Sequence, residues 1–567
     1  MELTGAQILI ECLKEQGVDS IFGYPGGTIL DVYDVLYQTP EIHHYLTSHE
    51  QGAAHAADGY ARSTGKVGVC MSTSGPGCTN LVTGIATAYM DSSPIVAITC
   101  NVSSKLLGKD SFQEVNITEI TKSITKWNRV VDDVHDLAPA VRQAFLLARS
   151  GRPGPTLLDI TKDIATAKCD YEVVPVEKHQ IFELPNRLSK RLMGSLNTPD
   201  PKPYEVDKLV DMVNASKRPL VICGGGVVRS RSDEEFNEFV NRIDAPVAIT
   251  AMGAGGFRGR DPLATGLIGM HGSQASNMAV DECDLLIAVG CRFSDRVALQ
   301  PSTFAEHAKI VQIDIDRAEI GKNVRCDYAV LGDAKQVLSM LNGRLHQLHH
   351  DEWKEHVFSY PTETKYEEDG DHLNPKQIDT AIAKICPEDT IVATDVGQHQ
   401  MWAVQHFHYD YPGQLLTSGG FGAMGFGLGA AIGAQVGNPD KCVIHVTGDG
   451  SFRMNCIELA TVQHYHLPII TIIYDNSVLG MVHQWQTLIY NKRYSQTTLD
   501  RPPEWVALAR AYGLAGKRVS SMEDFEDTLK EALACGHGYV IDAAIAPDEM
   551  VRPMVPAGQH ITNFLAI

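Results

Sequence analysis

Val443-Ile444-His445-Val446-Thr447-Gly448-Asp449-Gly450-Ser451-Phe452 reads as a β-branched strand running into a Gly-Asp-Gly turn. A helix is predicted after it over 455–465. A second apolar strand follows at 469–474 and ends in Asp475-Asn476. Strand, helix and strand in that order make a βαβ unit, whose two strands lie parallel. Similar runs recur at 20–24, 67–73, 95–100, 220–223, 247–250, 285–289, 310–313 and 391–394, with helical patterns between them. Their continuous apolarity, without alternation, is what a parallel sheet buried on both faces requires. Two polar, strand-free stretches at 169–203 and 349–374 read as linkers. The expected architecture is therefore α/β, with three doubly wound parallel-sheet domains at 1–185, 190–345 and 370–567.

Length agrees, since 567 residues at about 150 per domain predict three or four units. The charge is −21, from 48 basic and 69 acidic residues. That balance argues against nucleic acid or an anionic membrane as partner. The 13 cysteines are scattered singly, without a CxxC pair. This excludes a zinc cluster or disulfide framework and predicts a reducing, cytoplasmic location. No apolar run approaches the ~20 residues of a membrane helix, and the N-terminus lacks a signal-peptide pattern.

In open parallel sheets ligands bind at the carboxyl ends of the strands. Asp449 and Asn476 occupy two such ends, 27 residues apart. A carboxylate and an amide oxygen suit Mg²⁺, which keeps phosphate oxygens among its ligands. Gly448 and Gly450 allow backbone to approach a diphosphate, and the helix after them favours its charge. A Gly-Asp-Gly turn alone is a weak signal; turn, spacing and closing Asn together resemble the signature of thiamin-diphosphate enzymes, with Asp475 where that signature carries its first Asn. The resemblance implies Asp449, Asn476 and the Val478 carbonyl as metal ligands, and Gly448, Gly450 and Ser451 at the cofactor.

The first block supplies a second half. Thr47-Ser48-His49-Glu50-Gln51-Gly52 runs from a strand end into a small-residue helix. By itself a glutamate there can serve the helix dipole. In thiamin-diphosphate enzymes a glutamate at this point meets the aminopyrimidine ring and favours the tautomer that makes the carbon nucleophile. Thr417-Ser418-Gly419-Gly420-Phe421-Gly422-Ala423-Met424-Gly425 resembles the segment that bends the cofactor, implying roles for Gly422 and Met424. Gln398 and His399, after Asp395-Val396-Gly397, would reach the diphosphate.

Within that class the chain resembles the catalytic subunits of acetohydroxyacid (acetolactate) synthases, from about Thr4 to Gly558. The tokens are Tyr24-Pro25-Gly26-Gly27, Ser74-Gly75-Pro76-Gly77-Cys78-Thr79-Asn80, Asp110-Ser111-Phe112-Gln113-Glu114, Gly151-Arg152-Pro153-Gly154-Pro155, Lys162-Asp163, Leu479-Gly480-Met481-Val482-His483-Gln484-Trp485 and Pro553-Met554-Val555-Pro556-Ala557-Gly558. Thr161 replaces a proline of the pattern, and His483 an arginine. The resemblance implies that Gly26 and Gly27 face the reacting carbonyl and that Phe112 and Gln113 reach across a subunit interface. Lys162 would meet a substrate carboxylate. Met481 and Trp485 would narrow the acceptor pocket and favour 2-ketobutyrate over pyruvate.

The central block carries Gly224-Gly225-Gly226, Gly269-Met270-His271-Gly272, Cys291-Arg292-Phe293-Ser294-Asp295-Arg296, Asp314-Ile315-Asp316 and Asp333. Ser294 stands where the pattern has Asp. In these synthases such segments, joined by Arg152, hold FAD. Expected cofactors are thiamin diphosphate, Mg²⁺ and FAD. Expected partners are small 2-keto acids, a second copy of the chain (a dimer at minimum, a tetramer in expectation) and a separate regulatory small subunit. Alternatives are a flavin-free catabolic acetolactate synthase, another thiamin-diphosphate decarboxylase or lyase, an oxidoreductase built on the central block, and a catalytically silent paralogue.

Overall fold

Three six-stranded sheets, all parallel, organise the chain, and the computed structural model describes residues 1–179, 198–364 and 372–566. The first sheet runs, in spatial order, His43–Leu46, Ser20–Tyr24, Gly68–Ser72, Ile95–Asn101, Thr156–Thr161, Trp127–Val131. The second runs Ala264–Leu267, Val247–Ile249, Pro219–Cys223, Leu285–Val289, Lys309–Asp314, Tyr328–Leu331. The third runs Leu415–Leu416, Ile391–Thr394, Val443–Gly448, Ile469–Asp475, Tyr539–Ala544, Ala515–Val519. Counting strands by chain order within each sheet, the first and third share the order 2-1-3-4-6-5, and the second is 3-2-1-4-5-6. Each sheet therefore has a central point, beside its first strand, where the winding reverses and where ligands of such sheets bind beyond the strand ends; the first and third reverse again at one edge, where the sixth strand returns between the fourth and fifth.

The expected domain limits at 185, 190 and 370 lie outside the described residues. The two presumed linkers carry more order than their composition suggested. Lys168–Asp170 pairs antiparallel with Glu2–Thr4. Within 349–374, Asp351–Val357 forms a helix whose Trp353 is buried and donates from Nε1 to the Pro219 carbonyl at 2.9 Å. One aromatic and one valine four residues apart suffice to seat it on the second sheet, whatever the polarity of its outer face.

The helix expected over 455–465 is also different. Helix begins at Asp449, directly after Gly448 in extended conformation, and ends at Asn455; a 3-10 turn, Cys456–Glu458, leads to a second helix, Leu459–His464. Asn455 breaks it by donating its amide to the Gly425 carbonyl.

The first and third domains meet where helices Glu50–Thr64 and Phe426–Gly437 cross. A Cβ on Gly433 would lie 1.8 Å from the Ala56 carbonyl oxygen, and one on Gly59 2.1 Å from that of Ala430. The small-residue runs are thus what lets two backbones touch. Beside the crossing, Arg62 grips both Asp58 oxygens at 2.7 Å, Asp91 at 3.3 Å and the Thr417 carbonyl at 2.7 Å, all buried. Asp91 also accepts from Gly420 N–H at 2.8 Å, and Arg229 of the second domain donates to the Asp91 carbonyl. Three domains converge on one buried ion cluster.

Candidate active site

The reversal point of the third sheet lies between Ile391–Thr394 and Val443–Gly448. A pocket opens there, lined by Gln398, His399, Met424, Gly448, Asp449, Gly450, Ser451, Asn476, Val478 and Met481. Most of the third-domain residues singled out from sequence therefore share one crevice. Local packing explains the glycines. A Cβ on Gly448 would sit 2.9 Å from the His399 ring, and one on Gly450 2.5 Å from Leu479. Gly422 instead has φ +70° and open space around it. Asn476 donates to Gln398 Oε1 at 3.2 Å and accepts from Val478 N–H at 3.3 Å. Gln398 is held in turn by Gln484 and the Glu549 carbonyl. Ser451 Oγ accepts from Gly425 N–H, joining the turn to the Met424 segment.

Three buried polar atoms of residues lining this pocket lack a protein partner, Asp449 Oδ2, His399 Nε2 and Trp402 Nε1; of these only the Asp449 oxygen is a carboxylate. Burial first, and the neighbouring Asp475 carboxylate second, push Asp449 above the usual carboxylate range. Burial pushes His399 down to about 4, so its ring is neutral near pH 7. Asp475 does not line the pocket; it pairs with Arg518 at 2.8 Å, which also holds Asp542 at 2.6 Å.

The first sheet reverses between Ser20–Tyr24 and Gly68–Ser72, and a second constellation forms there. A Cβ on Gly26 would lie 2.5 Å from the Thr73 side chain. Gly77 lies against Thr73 and Glu50, and Gly75 (φ +59°) against Gln113. Glu50 is buried as the first residue of its helix and accepts from Asn80 Nδ2 at 2.9 Å. Gly27 faces open space. Phe112 is 87% exposed, and Lys162 is exposed at the end of Thr156–Thr161. None of these first-domain residues lines the Asp449 pocket of the same chain.

The second sheet reverses between Pro219–Cys223 and Leu285–Val289, where Gly224 and Gly226 pack on Gly290; a Cβ on Gly224 would lie 2.2 Å from the Gly290 oxygen. Asp314 ends the next strand, its carboxyl pushed up to about 6 by burial. Arg152 is already engaged by Glu319 at 2.8 Å and Asp316 at 3.4 Å. Arg292 donates to the Met90 carbonyl. Arg296 is exposed beside Asp295. Asp333 caps the helix Ala334–Asn342, accepting from Lys335 and Gln336 N–H. Met270 is buried in one small cluster with Met554, Val555 and, at its margin, Trp485; His271 faces the Pro553 carbonyl at 3.1 Å.

Three family models of thiamine pyrophosphate enzymes match this chain: the N-terminal TPP binding domain over residues 3–120, the central domain over 206–341 and the C-terminal TPP binding domain over 395–543. The chain is 43% identical to a probable acetolactate synthase large subunit of Methanocaldococcus jannaschii, across 99% of this chain and 95% of that protein. It is 42% identical to the acetolactate synthase isozyme 2 large subunit of Escherichia coli, across 99% of each, and to the chloroplastic acetolactate synthase 2 of Nicotiana tabacum, across 98% and 84%. The chain belongs to the acetolactate synthase family of thiamine pyrophosphate enzymes. It is accordingly an enzyme, and thiamin diphosphate is its cofactor.

The residues present fit a diphosphate and a divalent cation: an orphaned carboxylate oxygen on Asp449, the Asn476 amide, the Val478 segment and neutral His399 line one pocket. Sequence reading missed Glu458, a fully buried carboxylate of the third domain that reaches the first. A lone glutamate nine residues past Asp449 carries no sequence signal of its own.

Proposed function

We propose that the chain is the catalytic large subunit of an acetolactate synthase. Pyruvate loses its carboxylate as CO₂, and the remaining two-carbon unit joins the keto carbon of a second 2-keto acid. Pyruvate as acceptor gives 2-acetolactate; 2-ketobutyrate gives 2-aceto-2-hydroxybutyrate, both precursors of branched-chain amino acids. Bound thiamin diphosphate supplies the carbon nucleophile and the electron sink. The chain's part is position and proton control. Asp449, Asn476 and the Val478 carbonyl would hold Mg²⁺, with Gly448, Gly450, Ser451, Gln398 and His399 around the diphosphate. Met424, which lines the same pocket, would support the cofactor. Glu50 would donate a proton to the pyrimidine ring nitrogen. Gly26 and Gly27 offer backbone to the reacting carbonyl, and Trp485 with Met481 bounds the acceptor.

The observation that carries this reading is the Asp449 pocket at the third sheet's reversal point, with a buried carboxylate oxygen free for a cation. The absence of Glu50 from that pocket supports a dimer at least, in which a second copy brings its Glu50, Gln113 and Phe112 to the first copy's Asp449; we expect a tetramer. FAD at the second sheet's reversal point is supported by the Gly224–Gly290 contact and by Arg292 and Arg296, with Asp314 and Asp333 at neighbouring strand ends. A regulatory small subunit and a cytoplasmic location complete the proposal. All thirteen cysteines are free, and among the described residues no helix is long and apolar enough to cross a membrane. The test is purified protein with thiamin diphosphate, Mg²⁺ and pyruvate. Acetolactate must form, and must be lost in Glu50→Gln. Pyruvate consumption that yields acetaldehyde without acetolactate would reject the carboligase.

A further inference from the structure

Glu458 belongs to the third domain, yet its carboxylate is spent on the first. Oε2 accepts from Ser48 N–H and Oε1 from His49 N–H, each at 3.0 Å. Thr461 Oγ1 donates to Oε2 at 2.6 Å and fixes the carboxylate plane. A Cβ on Gly52 would lie 2.2 Å from Oε1, so this glycine of the Glu50 segment is small to admit Glu458. The clamp extends on both sides. Ser48 Oγ donates to the Ile457 carbonyl at 3.0 Å, and Leu46 N–H donates to the Tyr465 hydroxyl at 2.6 Å.

Ser48 and His49 are the two residues before Glu50, and His49 is the N-cap of its helix. Their N–H groups set the direction in which the helix leaves the strand, and so the line along which the Glu50 side chain departs. Asn80 then holds the far end of that side chain. A buried carboxylate accepting two backbone N–H groups is a stiff, charge-assisted anchor. Glu458 also closes the run that starts at Asp449, through Asp449–Asn455 and Cys456–Glu458. Glu50 does not line its own chain's Asp449 pocket, so on the dimer reading given above this run connects two different sites.

We propose that Glu458 is a positioning residue for Glu50, and that through it the segment bearing the metal ligand of one active site orients the carboxylate serving the other. The proposal rests on the reading of Glu50 given above. It is tested in the full-length protein with Glu458→Gln, which keeps the volume and one acceptor oxygen, Glu458→Ala, which removes both, and Glu50→Gln alongside. A displacement of a catalytic group by the order of 1 Å costs about a hundredfold in rate, so kcat should fall about tenfold in the glutamine variant and about a hundredfold in the alanine variant. KM for pyruvate and the dissociation constant for thiamin diphosphate should stay within about threefold, because the diphosphate and metal ligands at Asp449 are untouched and Glu50 is displaced, not removed. Without cofactor, backbone hydrogen exchange should accelerate over 46–53 in both Glu458 variants and nowhere else in the first domain.

An unchanged kcat in Glu458→Gln and Glu458→Ala, with Glu50→Gln inactive, overturns the positioning role and leaves the reading of Glu50 intact. Should the alanine variant not fold, the glutamine variant decides by the same criterion. Exchange accelerated throughout the first domain, or thiamin diphosphate binding lost in step with kcat, also overturns it, since Glu458 would then serve general stability. Full activity of Glu50→Gln overturns the underlying reading instead.

Discussion

Arg62→Met tests the ion cluster that joins the three domains. The substitution keeps an unbranched apolar stem and removes the guanidinium that binds both oxygens of Asp58, Asp91 and the Thr417 carbonyl. Both carboxylates are fully buried and would be left without their main cation. Removing one partner of a buried pair costs about 3–5 kcal/mol, and Arg229 beside Asp91 offsets part, so about 3 kcal/mol is expected. With an m-value of about 3 kcal/mol/M, the urea midpoint of unfolding falls by about 1 M. The pH dependence supplies an independent sign. In the parent, burial is the largest single influence and would raise Asp58, but the Arg62 charge and hydrogen bonds, with Ser93 and Arg229, together outweigh it and hold the carboxyl below its ordinary range. A depressed folded value contributes stability above about pH 4 that is lost as pH falls through the folded value. In Arg62→Met only Ser93 and Arg229 still oppose burial, the largest influence on this group, so the folded value rises above the unfolded one and the sign reverses. Acidifying from pH 7 towards 5 should then narrow the gap between variant and parent. Adding Asp58→Asn removes the stranded charge and should recover about 1–2 kcal/mol. A midpoint shift below about 0.3 M, or a double variant no more stable than the single one, would refute the reasoning.

Gly433→Val forces a side chain into the space 1.8 Å from the Ala56 carbonyl and should cost at least about 3 kcal/mol by urea unfolding. Gly343→Ala, where the nearest atom is 3.7 Å away, should leave the midpoint unmoved. In metal-free protein the raised Asp449 binds a proton more readily folded than unfolded, so stability falls as pH rises from about 4 through the raised value. Added Mg²⁺ should reverse that loss, and its affinity, followed by calorimetry, should weaken below neutral pH by up to about tenfold per unit. Trp485→Leu should lower the preference for 2-ketobutyrate over pyruvate by about 1–3 kcal/mol, read as the product ratio in a competition assay.

The central strands were legible because they are continuously apolar. Ile469–Asp475 and Ile95–Asn101 are buried along their whole length. Edge strands such as Trp127–Val131 and Ala515–Val519 were not, because one side of each is only partly covered and polar residues interrupt the apolar run. The Asp449 turn was located correctly, but its helix begins at Asp449 itself. Glycines made the local propensity look like loop, and only tertiary contacts with His399 and Leu479 show why they sit in a helix start. Residues of the Asp449 pocket were readable because a strand end, its turn and the next strand end are close in sequence. Glu458 was invisible for the opposite reason, its partners being some 410 residues away. The three reversal points could not be read at all, since strand order in space is not written in strand order along the chain.

The central claim is that Glu50 of one chain and Asp449 of another make one active site. Glu50→Gln and Asp449→Ala, each inactive alone, are unfolded together, refolded and assayed for acetolactate. Random pairing puts half of the dimers in the mixed state, and each mixed dimer regains one complete site of two. The account predicts about a quarter of parental activity. A mixture as inactive as its two components would contradict it.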